Sequence, residues 1–317
     1  MGKENPVQLN KSSIATVKKR KSYMQQNIWL YIFLTPGLVY FIVFNYVPLY
    51  GIVIAFQDFN PIAGIAGSKF VGLENFRLLF QSDNFKSIFR NSIWISVLRL
   101  LWGFPIPIFI AIILNEIQMK KFCKFSQTVL YMPHFISWVV LAGIIVNLLS
   151  PANGGVNKFL ELLGHEPIAF LQSEKYFRSV LVISDIWKEA GWGAIVYIAA
   201  ISGINVEMFE AAKMDGATVM QKIRYITLPS IVPTITVLFI LRLGSLLRNG
   251  FEQIFMLYNP LVFKVADVFE TYTYRIGLKQ GQFGFATAVG LFQSVVGFAL
   301  VITTNKLSKK YGEGGIW

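Results

Sequence analysis

The chain has 317 residues, 54% of them hydrophobic and 15% charged, and its mean hydropathy is positive. Soluble domains run at roughly 45–50% apolar and 25% charged, so a water-soluble fold would be short of polar surface and a membrane protein is indicated. The net charge of +12 does not argue for nucleic acid, because the basic residues sit beside apolar stretches rather than on a basic-aromatic module; the single cysteine, Cys123, excludes an internal disulfide, and no Cys/His set has metal-site spacing.

Residues 1–27 are polar and carry Lys18-Lys19-Arg20-Lys21. The apolar run that follows, 28–47, matches the ~20 residues that cross a bilayer. It is too long for the core of a signal peptide, and reads as an uncleaved first span kinked at Pro36-Gly37. In the connection 49–87, Phe76, Leu79 and Phe80 have helical spacing. That pattern fits an amphipathic helix lying either in the membrane interface or on the protein's own outer face. Further spans are expected at 91–114, interrupted by Pro105 and Pro107, at 128–149 with Pro133 near its start, and at 177–203, 230–258 and 285–304. Segments 151–176 and 259–284 read as outer loops, and 305–317 as a basic tail.

The distribution of Lys and Arg sets the orientation. Segments 1–27, 116–127, 204–228 and 305–317 hold 6, 3, 3 and 3 of them; the longer segments 49–90, 151–178 and 259–284 hold 4, 3 and 3. The expectation is an all-α, polytopic protein with six transmembrane helices in one domain, 28–304, and both termini cytoplasmic.

Charges inside spans cost roughly 2.5–3.5 kcal/mol each on insertion scales, so they mark a pathway or an internal ion pair. Here they are Arg99, Asp185, Lys188, Glu189, Arg242, Arg248 and Glu252. Asp185 and Glu189, like Arg248 and Glu252, are four residues apart and should share a helix face. Both readings stay open from the sequence, a structural network between helices or the lining of an aqueous cavity.

Asn205 to Pro229 is polar, and at 25 residues long for a helix–helix connection. Asn205 can cap a short helix with Glu207 at its positive end. Gly216 stands where a helix ends in the left-handed conformation. Thr218 and Gln221 have capping-box spacing for a second short helix over 219–226, and Pro229 opens the next span.

Within this stretch, Glu210-Ala211-Ala212, then Asp215-Gly216, then Ile226 and Leu228-Pro229 resemble the EAA loop of binding-protein-dependent ABC transporter permeases. FVGLENF (70–76), YMPHFISWVV (131–140), DIWKEAGW (185–192), the stretch from Phe251 through TYTYRIGL to QGQFGFATAVGLFQSVVG, and the closing GGIW are similar to the branch serving complex oligosaccharides, the multiple-sugar permeases of Gram-positive bacteria. The resemblance covers most of 28–317. It implies a type I ABC importer permease in the cell membrane, paired with a second homologous permease, two copies of an ABC ATPase and an extracellular lipid-anchored sugar-binding protein.

On this resemblance, Glu210, Ala211, Ala212, Asp215, Gly216, Leu228 and Pro229 couple the permease to the ATPase. An oligosaccharide would pass by alternating access, with Arg99, Trp138, Asp185, Lys188, Glu189, Trp192, Arg248 and Glu252 as its pathway and Trp138, Trp187 and Trp192 as stacking surfaces. The chain itself has no G-x-x-x-x-G-K-[ST] phosphate loop. ATP and Mg are therefore expected on the partner ATPase, with no cofactor, metal or catalytic residue here. An ion-coupled transporter acting alone, the main alternative, would show inverted repeats with spans broken at midplane; no repeat is evident, and a non-transporting scaffold is the remaining alternative.

Overall fold

The structure is a computed structural model that describes residues 27–310; the rest of the basic N-terminal segment and the end of the tail, including GGIW, lie outside the described residues. The described part is almost wholly helical, with one two-stranded sheet among the described residues. Four helices are long and apolar enough to cross a membrane, and the number rises to six if each of two bent helix pairs counts as one span.

Two compact units divide at Val53. In the first, helix α1 (Ile28–Phe41) runs through Pro36 and continues into a π-helical turn, Ile42–Tyr46. No residue of α1 is buried. A helix apolar on all faces, with no polar stripe to turn toward water, is one built for lipid or for a partner.

The second unit opens with a short hairpin, β1 (Gln57–Asp58) and β2 (Lys69–Phe70), paired antiparallel. Helix α2 (Glu74–Gln81) follows, and it packs on its own chain. Its Asn75 is buried and donates to the Ala55 and Gln57 carbonyls at 2.9 and 3.0 Å. Leu79 is buried with Ile88, Phe269 and Val289, and the Phe80 ring meets Phe292 at 5.6 Å. Of the two expected placements, packing on the protein's own surface is seen.

The second span begins earlier than expected. Helix α3 (Asp83–Leu98), a π-helical turn (Arg99–Gly103) and α4 (Pro105–Glu116) form one run of 34 residues. Pro105 and Pro107 start α4, where a missing N–H costs little.

The third span is not the continuous helix expected over 128–149. Helix α5 (Lys120–Tyr131) passes through a 3-10 turn (Met132–Phe135), and the chain then bends by 103° into α6 (Trp138–Leu148). Outside it, α7 (Gly155–Leu162) is held by Asn157, whose amide donates to the Leu149, Ser150 and Ile168 carbonyls at 3.1–3.2 Å and accepts from the Ile168 N–H at 2.7 Å. The fourth span is α8 (Glu174–Ser202), unbroken over 29 residues.

After the polar loop come α9 (Val206–Met214), α10 (Val219–Lys222), a π-helical turn (Ile223–Thr227) and α11 (Leu228–Gly244). The second short helix expected over 219–226 is thus not separate but continuous with span five, a 26-residue run from Val219 to Gly244. That span ends at Gly244 rather than near 258; the chain resumes as α12 (Phe251–Leu257) after a left-handed Gly250 at φ 72°.

The segment 259–284 is packed and partly helical rather than an exposed loop. Val262, Ala266, Val268 and Phe269 are fully buried, and α13 (Phe269–Thr273) lies in the core. Asn91 ties the segment to span two by donating to the Lys264 and Asp267 carbonyls at 3.0 and 3.1 Å, and the Arg178 guanidinium donates to the Val265 carbonyl at 3.2 Å. Helix α14 (Phe283–Lys310) is the last span.

Close backbone contact fixes the angles between these helices. A Cβ at Gly191 would overlap the Leu130 carbonyl, and one at Gly297 would stand 2.7 Å from the Gly244 oxygen. Small residues allow such approach in membranes, where packing rather than water exclusion drives association. Gly191→Val is therefore expected to push α5 off α8 and cost about 1–3 kcal/mol, measured as a lower melting temperature in detergent; an unchanged melting temperature would contradict this packing.

Candidate functional site

The polar loop folds as its capping residues direct. The Asn205 side chain accepts from the Glu207 N–H at 3.0 Å. At the other end Gly216 takes φ 73°, so that its own N–H reaches the Lys213 carbonyl at 3.1 Å and the Ala217 N–H reaches Ala212 at 2.9 Å. That pair of bonds is a Schellman stop. Thr218 and Gln221 then form the expected capping box, at 3.3 and 2.7 Å.

Helix α9 has no buried residue and turns 73° away from α8. Glu210 and Ala211 are exposed, as are the apolar Val206, Met208 and Met214. Leu228 instead packs against the core around Ala194, Tyr197 and Ile231. The result is a stiff, apolar-and-acidic projection anchored at both ends.

A second constellation lies among spans two, four and five. The Arg99 side chain is buried, and its guanidinium donates to the Asn249 carbonyl at 2.5 Å and to the Gln253 side-chain oxygen. Gln253 in turn donates to the Leu181 carbonyl and the Ser184 hydroxyl at 2.8 and 2.7 Å. Asp185 stands 3.9 Å from both Arg99 and Arg242. Arg99 thus supports the chain where span five breaks.

Lys188 does the same for span three. It is buried and donates to the His134 and Ile136 carbonyls at 2.6 and 2.8 Å, which flank the bend. Glu189 lies 3.7 Å from Lys188 and 2.8 Å from His134 Nδ1, and the His134 ring stacks on Trp192 at 4.4 Å.

Between these groups is a cavity of about 560 Å³, lined by Arg99, Asp185, Glu189, Trp192, Arg242 and Arg248 among its polar and aromatic residues. Five of the residues expected in the pathway are therefore brought together: Arg99, Asp185, Glu189, Trp192 and Arg248. Trp138 is not; it packs against the core around Leu141 and faces Lys188 at 5.7 Å. Lys188 is spent on the bend rather than on the cavity. Glu252 is separated from Arg248 by the break at Gly250, so the shared helix face expected for them does not exist. Trp187 borders a different cavity, with Leu148 and Ile183.

Arg242, counted among the intramembrane charges but not among the site residues, belongs in the cavity wall. His134 is not in the wall but touches two residues of it, Glu189 and Trp192. The signal for both was present as charge or ring at the right depth, but facing direction depends on the helix breaks.

Residues 103–312 match the family described as the binding-protein-dependent transport system inner membrane component. The polygalacturonan/rhamnogalacturonan transport system permease protein YteP of Bacillus subtilis (strain 168) is 45% identical over 92% of this chain and 91% of its own length. Among solved structures, a bacterial ABC transporter involved in import of the acidic polysaccharide alginate is 42% identical with a TM-score of 0.84, covering 92% of this chain and 99% of that one. The bacterial alginate ABC transporter in complex with alginate pentasaccharide-bound periplasmic protein is 41% identical with a TM-score of 0.85, covering 93% and 99%.

The fold is that of a multi-pass α-helical membrane permease. The chain belongs to the binding-protein-dependent transport family, as the transmembrane permease subunit of an ABC importer, and is not an enzyme.

Lys188→Met would leave the His134 and Ile136 carbonyls without their donor and Glu189 without its nearest cation. Leaving a buried acceptor without its donor costs about 1–3 kcal/mol, so this variant should melt below the wild type in detergent. A melting temperature equal to wild type would show that Lys188 does not hold the bend.

Proposed function

We propose that this permease carries carboxylate-bearing oligosaccharides through the cavity between spans two, four and five, and that α9 is the part an ATP-hydrolysing partner moves. The observation that carries the substrate reading is the charge of the wall. Arg242 and Arg248 are exposed, and among the described residues no carboxylate lies within ion-pairing distance of Arg248. Asp185 is shared between two arginines, while Glu189 is occupied by Lys188 and His134. The cavity is left cationic. Arginine presents a planar fork that matches a carboxylate, and the exposed Trp192 ring offers the apolar face on which a sugar stacks. The relatives named for polygalacturonan/rhamnogalacturonan and for alginate support this reading.

Coupling rests on α9. Glu210, Ala211, Ala212, Asp215 and Gly216 present a rigid surface to a cleft on the ATPase, and Leu228-Pro229 carry its displacement into span five. Closure of two ATPase subunits around ATP and Mg would rotate spans four and five and open the cavity outward. The remaining parts are a second, homologous permease and an extracellular lipid-anchored protein that delivers the sugar. The chain lies in the cell membrane with both termini cytoplasmic. Purification of the importer from its native host, with identification of the chains that accompany it, tests the assembly; a homo-oligomer without an ATPase would overturn it.

For the loop, Gly216→Asp places a side chain at φ 73°, a strain of roughly 1 kcal/mol. The complex should still assemble, while ATP hydrolysis no longer drives uptake; normal transport would refute the coupling role. For the cavity, Arg242→Ala with Arg248→Ala should cut uptake of an all-uronate oligosaccharide at least about tenfold, the ~1.4 kcal/mol of one lost charged contact. Neutral oligosaccharide uptake should change little. An equal loss of both would sink the acidic-substrate reading.

A further inference from the structure

Trp192 stands on α8 between two glycines that are both pressed against other helices. A Cβ at Gly191 would overlap the Leu130 carbonyl, and one at Gly193 would come within 3.2 Å of the Pro107 ring. The backbone that carries Trp192 is therefore set by packing. Its indole is not, being 44% exposed on the wall of the cavity between spans two, four and five. A stacking ring left free to turn on an open wall binds less well, because binding must then order it.

His134 supplies that order. Its ring lies parallel to Trp192, with 1° between the planes and 4.4 Å between centroids. Phe135 is 5.6 Å from each of the two rings and nearly perpendicular to both, at 81° and 82°. Equal distances and those angles put Phe135 beside the stack rather than on the second face of Trp192.

His134 is itself held from α8 at two points. Lys188 donates to its backbone carbonyl at 2.6 Å, and Glu189 Oε2 lies 2.8 Å from its Nδ1. An ionised carboxylate only accepts, so Nδ1–H donates and the plane of the imidazole is tied to α8. Glu189 and Trp192 are three residues apart on that helix and share a face. The bond and the stack thus act together on one ring.

We infer that His134 is a positioning residue for transport. It closes one face of Trp192 and, through its bond to Glu189, fixes the plane of the indole, so that the other face is presented to a sugar ring in the cavity. This rests on the reading of Trp192 as the surface on which the sugar stacks.

The test uses the complete importer with its binding protein in proteoliposomes and a trisaccharide of three uronate rings. At saturating binding protein, Trp192→Ala and His134→Ala should each slow uptake about fivefold, on the order of the cost of ordering one side chain. In the double variant, His134→Ala should add nothing, since it acts through the ring that Trp192→Ala removes. His134→Phe keeps a ring over Trp192 and should recover part of the loss. The Lys188 bond is to backbone and survives all of these substitutions. A second readout needs no sugar: the near-UV circular dichroism that Trp192 contributes, taken as wild type minus Trp192→Phe, should collapse when the same difference is measured in the His134→Ala background.

Losses that multiply in the double variant, to about twenty-fivefold, would overturn the inference by making the two residues independent. A Trp192 signal that survives His134→Ala would also overturn it, while leaving the stacking reading untouched. If the signal collapses but Trp192→Ala transports normally, the stacking reading itself fails and the role of His134 falls with it. Loss of the second permease from the purified His134→Ala complex would make His134 a contact between subunits, and would likewise sink the assignment.

Discussion

A helix that breaks inside a membrane frees carbonyl oxygens that no water can reach, and each unsatisfied group costs several kcal/mol there. This permease breaks two of its spans and places a buried cation at each break. Lys188 reaches from the unbroken fourth span to the His134 and Ile136 carbonyls, and Arg99 reaches from the second span to the Asn249 carbonyl and Gln253. Burying such a charge costs roughly 2.5–3.5 kcal/mol on insertion scales. A charge-assisted hydrogen bond contributes about 1.5–3 kcal/mol, so two of them offset the burial and leave the carbonyls satisfied.

The site follows from those two anchors. Because Arg99 is committed to the break in span five, it draws Asp185 toward itself and Arg242, and Arg248 is left facing open space. Because Lys188 is committed to the bend in span three, His134 is held where its ring stacks on Trp192 and its Nδ1 meets Glu189. The intramembrane charges are thus both a structural network and a cavity lining, with the division falling residue by residue. The polar loop is joined to the same helix: span five begins at Val219 without interruption and bears Arg242.

Local chemistry was legible wherever the deciding bonds are local. The Asn205 cap, the Gly216 stop and the Thr218–Gln221 box each depend on atoms within about one helical turn, and each is present as its residue types predict. Span existence was likewise legible, because length and hydropathy suffice. Span ends were not. Ser245 to Gly250 was read as part of span five, but Ser96 and Arg99, on span two, bond its Leu246 and Asn249 groups instead of a continuing helix. The burial of 262–269 was hidden for the same reason: its partners, Asn91 and Arg178, are far away in the chain.

By itself the sequence determined the membrane class and the local caps of the 205–229 loop, since these depend on composition, hydropathy and short-range capping. Tertiary structure alone decided where the helices of spans three and five end, that Lys188, Trp138 and Glu252 stay out of the cavity, and that Arg242 joins it. A side chain's facing direction in a broken helix is set by the partner that satisfies the break, and that partner lies on another helix.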